Sequence, residues 1–571
     1  MLRLTNFPQP LTMTPATLRL AVLKKCRLPA EQLLSLTIVR RSVDARDKSD
    51  VHFVLSLDLE VRQEEALLKR CRFLTPVRPS APVPLPAASF SLPPLVVGAG
   101  PAGLFAALTL ARAGARPVLI ERGLPVDRRV RDIAVLEAGG ALNPESNIQF
   151  GEGGAGAFSD GKLTCGIHSP YVREVLETFV SHGAPEDILV DQKPHIGTDL
   201  LRDVVASIRR EILSLGGEVR FETRLQRLLI RDGRLAGALV IREGREEEIL
   251  TDTVLLCIGH SARDTVRALY AQGIPMVRKP FAVGVRIEHP RLLIDRAQYG
   301  AAAGHPALGA ASYKLNCHTP DGRGVYTFCM CPGGRVIAAA SEPGGIVTNG
   351  MSLHARADVN SNAALLVGVR PEDFGGDHPL TGFDFQRRIE EAAFRAAAGA
   401  SGSAAPGSSV PLPASAGASG PVPSLPDSVP LPVSCPPLPH PVPYLAPAQR
   451  VEDFLSGRET RSFGEVTPSY RPGVVPADLH AVLPAFVTDN LKLALPVLDR
   501  QLRGFAMPDA VLTGSETRSS SPVRLPRGDS GESEALPGLY PTGEGAGYAG
   551  GIVSAAVDGI TAARKALQSH S

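Results

Sequence analysis

Two glycine-rich segments of this chain have the composition of phosphate-binding loops, although they lie more than 400 residues apart. In the first, "VVGAGPAGLFAAL", Gly98, Gly100 and Gly103 form a G-x-G-x-x-G pattern between a short apolar strand and a helix. The first glycine permits a tight turn, the second lets the backbone approach a pyrophosphate, and the third lets helix and strand pack closely. The unpaired N–H groups and the positive dipole end of that helix favour a bound anion.

An acidic residue ends the second strand of the same unit. The segment "PVLIER" places Glu121 eighteen residues after Gly103. A carboxylate there is placed to accept the hydroxyls of an adenosine ribose and would repel a 2′-phosphate, which disfavours NADP. The unit therefore predicts dinucleotide binding, and a glycine-rich turn without a ligand is the alternative. The predicted contacts from this unit are Gly98, Ala99, Gly100, Pro101, Ala102, Gly103, Glu121 and Arg122.

The second glycine segment is "LYPTGEGAGYAGGIVSAAVDGITAAR", a glycine loop that leads into a helix of small residues. It resembles the returning segment of the FAD-containing disulfide-reductase and aromatic-hydroxylase superfamily, in which a Gly–acid pair holds the ribityl chain and a helix points at the pyrophosphate. The strand "TDTVLLCIGHSA", which ends at Gly259, is similar to the turn that touches FAD in that superfamily. The resemblance implies that both loops bind one FAD. The contacts it implies are Gly259, Gly543, Glu544, Gly545, Gly550, Gly551 and Ile552.

The electron donor stays open at this point. The sequence contains no second strand–GxGxxG–helix unit, which enzymes with a separate NAD(P)H domain normally carry. Either NADH or NADPH binds transiently, or the electrons come from another donor.

A third glycine segment, "NIQFGEGGAGAFSDGKLTCG", nearly matches the ATP-binding P-loop. Leu163 occupies the position that must present a hydroxyl to Mg²⁺, so ATP binding is disfavoured. We expect Gly153, Gly154 and Gly156 to wrap the flavin or its pyrophosphate. Lys162 would then lie near the isoalloxazine, where a cation stabilises the reduced anion, and a surface lysine is the alternative.

Several polar residues are candidates for the reaction itself. In "RIEHP", a histidine beside a carboxylate has the make-up of a general acid–base pair, and an Arg286–Glu288 salt bridge is the alternative. In "ETRSSSPVR", Arg518 and Arg524 would clamp an anion or order the loop, and Glu516 accompanies them. His260 follows the Gly259 turn. The predicted catalytic set is Lys162, Glu288, His289 and Arg518.

The segment "FCMCPGG" places Cys329 and Cys331 two residues apart. On a strand, such positions share one face. Buried structural thiols, a redox pair and a metal site are the alternatives. Metal is disfavoured because no His/Cys pair with suitable spacing accompanies them, and no metal ligand is predicted.

The composition is that of an ordinary globular protein. The 571 residues are 44% hydrophobic and 21% charged, with a net charge of +2. This balance does not indicate a nucleic-acid partner. No apolar stretch is long enough to span a membrane, and the first residues do not resemble a signal peptide. Eight cysteines in this length indicate a reducing compartment, so we expect a cytoplasmic protein.

The pattern along the chain predicts an α/β protein of several units. Residues 1–75 are predicted as a small basic α+β unit of ferredoxin-like type, and residues 76–94 as a Pro-rich linker. A Rossmann-like FAD-binding domain would comprise residues 95–262 and 508–571. An inserted β-rich α+β substrate domain would comprise residues 263–507, interrupted at 397–447 by a low-complexity insertion that we expect to be disordered.

Taken together, segments 147–166, 279–290, 322–352 and 516–528 and the closing glycine loop resemble the bacterial family of FAD-dependent dehydrogenases of unassigned substrate. The resemblance covers nearly the whole chain except 76–94 and 397–447. It implies bound FAD, a two-lobed FAD/substrate architecture and a cytoplasmic protein, but it does not imply a substrate. A small-molecule substrate is a separate expectation.

We therefore expect an FAD-dependent oxidoreductase of the dehydrogenase type. A flavin monooxygenase is one alternative. The other is a non-catalytic flavoprotein that docks a redox protein or an RNA through its basic N-terminal unit.

Overall fold

The computed structural model describes residues 1–77, 83–403 and 444–571. The N-terminal unit is a four-stranded antiparallel sheet, ordered β2-β3-β1-β4, that packs against two helices. Its strand β3 alternates buried and partly exposed side chains over its first half, as its sequence pattern predicts. Its elements are β1 (Leu2–Pro10), α1 (Pro15–Cys26), β2 (Leu33–Asp44), β3 (His52–Val61), α2 (Glu64–Arg70) and β4 (Leu74–Pro76).

The following part of the chain alternates strands and helices. Its elements are β5 (Leu95–Val97), α3 (Pro101–Arg112), β6 (Val118–Ile120), α4 (Val126–Glu137), α5 (Tyr171–Ser181), α6 (Thr198–Ser214), β7 (Glu218–Arg220), β8 (Thr223–Arg231), β9 (Arg234–Arg242), β10 (Arg245–Leu250), β11 (Val254–Leu256) and α7 (Arg263–Ala271). Strands β8, β9 and β10 form an antiparallel three-stranded sheet.

The middle of the chain is richer in strands. Its elements are β12 (Val277–Arg278), β13 (Phe281–Pro290), α8 (Arg291–Tyr299), β14 (Asn316–His318), β15 (Gly324–Cys331), β16 (Arg335–Ala338), β17 (Thr348–Met351), β18 (Asn360–Val369), α9 (Thr381–Ser403), β19 (Ala446–Arg450), α10 (Val451–Ser456), β20 (Val474–Pro476), α11 (Ala485–Gln501), β21 (Val511–Glu516) and β22 (Val523–Arg524). Most of these strands form a seven-stranded sheet, ordered β14-β15-β18-β13-β21-β19-β20. Its central strand β13 is buried on both faces.

The last elements return to the first part of the chain. These are β23 (Leu539–Pro541) and α12 (Ile552–Ser569). Strand β23 pairs in parallel with β11 and completes a five-stranded sheet, ordered β23-β11-β5-β6-β7. All four pairings are parallel, and the central strands are short and apolar, as expected for a sheet covered on both faces.

Helices α3 and α12 pack against each other beside this sheet. A Cβ at Gly559 would overlap the backbone carbonyl of Ala102, so the two helices approach closer than side chains would allow. This close approach explains the small residues of α12.

Parts of the two segments predicted to lack structure belong to packed elements. Residues 397–403 extend α9, and the predicted insertion also overlaps β19, whose first residues are buried in the seven-stranded sheet. The rest of that insertion, 404–443, lies outside the described residues. Residues 78–82 of the predicted linker lie outside the described residues as well. The later part of the linker packs on α12, where Arg564 donates to the carbonyls of Val83 and Pro84.

Across the described ranges, no helix is both long and apolar enough to cross a membrane.

Candidate functional site

The carboxyl ends of three neighbouring parallel strands bring distant glycines together. Leu95 of β5 pairs with Val254 of β11, which pairs with Leu539 of β23. The glycine turns that follow these strands, at 98, 259 and 543, therefore meet at one edge of the sheet. In open α/β sheets, ligands bind at this edge.

Three glycines in and beside these turns lie where a side chain would collide with backbone. Gly98 has a φ of +101°, and a Cβ there would lie 2.5 Å from the carbonyl oxygen of Cys257. A Cβ at Gly103 would overlap the Gly98 carbonyl, and one at Gly545 would overlap the Gly259 carbonyl. The glycines at these positions are thus required by backbone-to-backbone contact.

Two helix N-termini meet beside the glycine turns without a capping side chain. Gly100 precedes α3 and Gly551 precedes α12, and neither helix has a side-chain cap. A Cβ at Gly156 would touch Ile552 at 3.0 Å and Pro101 at 3.7 Å, so the third glycine segment lies against both helix starts. Uncapped N–H groups converging in this way form a site for an anion such as a pyrophosphate.

The carboxylate of Glu121 is buried at the end of β6 and accepts three backbone N–H groups. Its oxygens lie 2.8 Å from the nitrogen of Ala99, 3.0 Å from that of Gly123 and 2.9 Å from that of Gly151. It therefore ties the first and third glycine segments together. A carboxylate has about four lone-pair positions, so some acceptor capacity is left for a ligand hydroxyl.

Two arginines organise the surroundings of Glu121. Arg122 pairs with Glu145 at 2.8 Å and Asp264 at 2.9 Å and stacks over Phe150. Its charge is therefore already compensated. Arg129, which the sequence did not single out, is fully buried and donates to backbone carbonyls between residues 147 and 154. It fixes the loop that carries Gly153 and Gly154.

The second glycine segment has a similar anchor. Asp558 of α12 accepts the N–H of Gly543 at 2.7 Å and a bidentate pair from Arg527. Next to Gly543, Glu544 lies 3.3 Å from Nδ1 of His260. The Gly259 and Gly543 turns are thus joined by side chains as well as by backbone.

A polar cluster joins the third glycine segment to the seven-stranded sheet. Lys162 Nζ lies 3.7 Å from the Sγ of Cys331, and Arg286 Nη2 lies 3.6 Å from the same sulfur. Arg286 also pairs with Glu516 at 2.8 Å. Burial opposes the positive charge of Lys162, but the carboxylate of Asp160 and the neighbouring thiols raise its pKa. We call Lys162, Arg286, Cys331 and Glu516 the thiol cluster.

The Arg286–Glu516 ion pair replaces the predicted Arg286–Glu288 salt bridge. Glu288 is completely buried and accepts hydrogen bonds from Asn360 and Ser469 instead. Burial raises the pKa of Glu288.

The predicted pair of Glu288 and His289 is not formed either, because successive strand residues point to opposite faces. His289 is fully buried, and its Nε2 donates to the carbonyl of Phe505 at 2.6 Å. Burial lowers the pKa of His289 to about 4. It is a neutral side chain of the sheet interior.

The two cysteines do not share a strand face, contrary to the expectation from their spacing. The pairing of β15 shifts register between Phe328 and Cys331, and Cys329 has a φ of +40°. Cys331 is buried, whereas Cys329 is exposed. Desolvation by the surrounding protein nevertheless raises the pKa of Cys329 to about 12. The described residues contain no group of side chains that could hold a metal ion.

Arg518 orders the interior of the molecule. It forms a bidentate pair with Glu390 of α9, which is also held bidentately by Arg263 at the start of α7. All three side chains are buried. Of the two roles predicted for Arg518, clamping an anion or ordering the loop, these contacts fit the second. Arg524 is exposed and lies beside Tyr548.

Three protein-family models match parts of this chain. A family model described as "FAD-dependent protein, C-terminal domain-like" matches residues 280–411 and 442–519. One described as "Pyridine nucleotide-disulphide oxidoreductase" matches 94–265, and a domain of unknown function matches 1–60.

A relative from Clostridium beijerinckii, which carries the name "Uncharacterized protein", is 43% identical over 552 residues, covering 96% of this chain and 95% of its own.

Solved structures that match include the glycerol-3-phosphate dehydrogenase from Bacillus halodurans complexed with FAD, at 12% identity and a TM-score of 0.25. That match covers 49% of this chain and 48% of the other. The myxobacterial halogenase CndH is 14% identical with a TM-score of 0.28, over 52% of this chain and 57% of its own. This chain thus spans about half the length of these solved structures. From the family matches and the Clostridium relative, the chain belongs to a family of FAD-dependent oxidoreductases of unassigned function.

Proposed function

We propose that this protein is an FAD-dependent oxidoreductase of the dehydrogenase type that acts on a small molecule. The observation that carries the proposal is the convergence of three glycine turns and two uncapped helix N-termini at one edge of the parallel sheet. The space is built for close backbone approach, and its free N–H groups suit a pyrophosphate.

The residues present fit FAD in an extended conformation. The starts of α3 and α12 would hold the pyrophosphate, with Gly100 and Gly551 leaving the room that it needs. Glu121 would accept a ribose hydroxyl with its remaining acceptor capacity. Glu544, at the edge strand, would contact the ribityl chain. When bound, FAD supplies the capacity to accept or donate a hydride or an electron pair.

The thiol cluster is the proposed position of the reacting groups. It lies where the third glycine segment meets the seven-stranded sheet, and it combines two cations, a thiol and a buried carboxylate. Lys162 would orient the substrate or the flavin ring electrostatically. Burial raises the pKa of Glu516, so this carboxyl group is suited to hold a proton that the reaction releases.

The observed topology supports the domain organisation that the sequence predicts. We assign residues 1–75 to a ferredoxin-like unit, because its β-α-β-β-α-β order and strand arrangement are those of that fold. Residues 95–262 and 508–571 would form the FAD-binding domain, and 263–507 the inserted substrate domain. A cytoplasmic location stays a prediction.

The experiment is an anaerobic visible spectrum of the purified protein before and after addition of NADH or NADPH. Flavin absorption that is bleached by one nicotinamide would identify that nucleotide as the donor. Flavin absorption that neither reagent changes would point to a redox protein partner, to be sought by salt-dependent capture through residues 1–75. In a separate aerobic assay, oxygen insertion into a product would contradict the dehydrogenase assignment in favour of a monooxygenase. A correctly folded protein that neither contains nor binds FAD would overturn the proposal.

A further inference from the structure

Positive charge exceeds negative charge beside the thiol cluster. Asp160 is buried and accepts Arg356 at 2.5 Å and Lys162 at 3.4 Å. In the parts of the chain that the structure describes, no other carboxylate lies within ion-pair distance of either cation. One carboxylate therefore faces two cations.

Lys193 adds another cation without adding a carboxylate. Segment 161–163 pairs with 194–196 through backbone hydrogen bonds and an antiparallel bridge between Lys162 and His195. Lys193 lies next to this bridge and donates to the hydroxyl of Ser312 at 2.9 Å. Among the described residues, no carboxylate lies within ion-pair distance of Lys193. Burial, together with the charge of Arg356, lowers the pKa of Lys193. Lys193 lies two residues from the backbone bridge that pairs His195 with Lys162.

Neighbouring groups do not cancel this excess. His195 stacks on His354 with ring centroids 5.2 Å apart, and burial, together with the charge of Arg356, lowers its pKa. The nearby Asp199 lies in the first turn of α6 and accepts the N–H of His354. Its charge is therefore compensated by the helix N-terminus.

The excess charge lies beside β15, because Lys162 Nζ is 3.7 Å from the Sγ of Cys331, two residues after Cys329. The side chain of Lys162 is 32% exposed, so a ligand in solvent can reach it. Both Cys329 and Arg356 have positive φ values, +40° and +49°, which are uncommon for residues with a side chain. Backbone strain of this kind is often found at functional sites.

We infer that Lys162, Lys193 and Arg356 form a binding site for an anionic group of the substrate, a carboxylate or a phosphate. The inference rests on the proposed function, because it names the class of substrate that would bind beside the thiol cluster. Cations gathered in partly desolvated surroundings are stabilised by a counter-ion, and a cleft with one sign of charge concentrates ligands of the opposite sign.

The test compares alkylation of Cys329 by iodoacetate and by iodoacetamide in the full-length holoprotein. With both reagents, the cysteine thiolate displaces iodide from the same type of carbon. The thiolate fraction of a given cysteine affects both rates equally, so it cancels in the ratio of the two rates. The half-buried Cys317 of β14 serves as the internal reference, and peptide mass spectrometry reads out both sites. The iodoacetate preference of a cysteine is its rate of alkylation by iodoacetate divided by its rate with iodoacetamide. We expect this preference to be about tenfold higher at Cys329 than at Cys317, and we expect the difference to fall as salt is added. Equal ratios at the two cysteines would overturn the inference.

Variants and competitors locate the site. Lys162→Met and Lys193→Met should each lower the preference at Cys329 several-fold, whereas Lys24→Met, on the exposed last turn of α1, should not. Phosphate and malonate are then added separately as competitors. Protection of Cys329 by one of them identifies the anion class, and protection by neither contradicts the inference. No flavin reduction enters this test, so its failure is distinguishable from failure of the proposed function.

Discussion

Arg263 and Glu390 face each other at 2.8 Å in the interior and join helices α7 and α9, which lie more than 100 residues apart in the chain. Arg518 approaches the same carboxylate at 3.1 Å, and Thr517 donates to it at 2.7 Å. Burial opposes the charge of Glu390, but the two arginines lower its pKa far below the usual range. The helix that follows the Gly259 turn is thereby locked to the middle of the chain.

Replacing Glu390 by Gln should strongly destabilise the protein, because two guanidinium groups would be left buried without a carboxylate. We expect a loss of about 3–5 kcal/mol in the free energy of unfolding, measured in urea. Because the folded-state pKa is depressed, this contribution is present above the unfolded pKa of about 4.3 and is lost as the pH falls further. The neighbouring Glu391→Gln, which removes a more exposed i,i+4 pair, is the control and should cost less than about 1 kcal/mol. Equal effects of the two substitutions would contradict the assigned role of Glu390.

Gly100→Ala and Gly103→Ala separate cofactor binding from folding. A Cβ at Gly103 would overlap the Gly98 carbonyl, so we expect Gly103→Ala to lower stability by roughly 1–3 kcal/mol. A Cβ at Gly100 would come no closer than 3.9 Å to Gly154, so this variant should fold normally. Because that Cβ would occupy the proposed pyrophosphate space, FAD affinity should fall about tenfold, measured by flavin fluorescence. Unchanged FAD affinity in Gly100→Ala would count against the proposed placement.

The buried His289 should make the protein sensitive to acid without affecting its reaction. Its folded-state pKa of about 4 lies below the ordinary value of 6.5, so the unfolded state gains the proton first as the pH falls. Stability is therefore complete above pH 6.5 and declines between 6.5 and about 4, by about 3 kcal/mol from this group. His289→Gln should remove this decline, whereas the exposed His318→Gln should retain it. A change in the pH profile of flavin reduction near neutrality in His289→Gln would restore a catalytic role for His289.

Two deletions test the limits of the low-complexity insertion. Removing 404–443 and bridging the ends with a short Gly/Ser linker should leave FAD binding and the unfolding midpoint intact. Removing 397–447 should lower the midpoint, because it also deletes the end of α9 and the buried start of β19. Loss of flavin from the shorter deletion would show that 404–443 contributes to the fold or the site.

Local patterns allowed the sequence to predict the glycine turns. The spacing of Gly98, Gly100 and Gly103 and the short apolar strand before them are contiguous, so they identify the turn directly. The returning glycine segment required a family resemblance, because its pairing with β11 is a long-range contact.

The polar anchors could not be predicted in the same way. Arginines such as Arg129 and Arg527 are usually surface residues, and nothing in their neighbourhood identifies a partner such as Asp558, 31 residues away from Arg527. The spacing of Cys329 and Cys331 was misleading for a different reason. A change of register within β15 alters which side chains share a face, and sequence spacing does not reveal it.

The position of β23 at the edge of the parallel sheet has a consequence for biosynthesis. Strand β11 leaves the ribosome well before its partner β23, and at about 5–20 residues per second the interval is roughly 15 s to 1 min. Throughout that time the nascent chain presents the unpaired edge of β11 and the apolar face of α3. With FAD in the proposed position, cofactor loading follows translation of α12, and we expect a chaperone that shields this edge to raise the yield of flavin-containing protein.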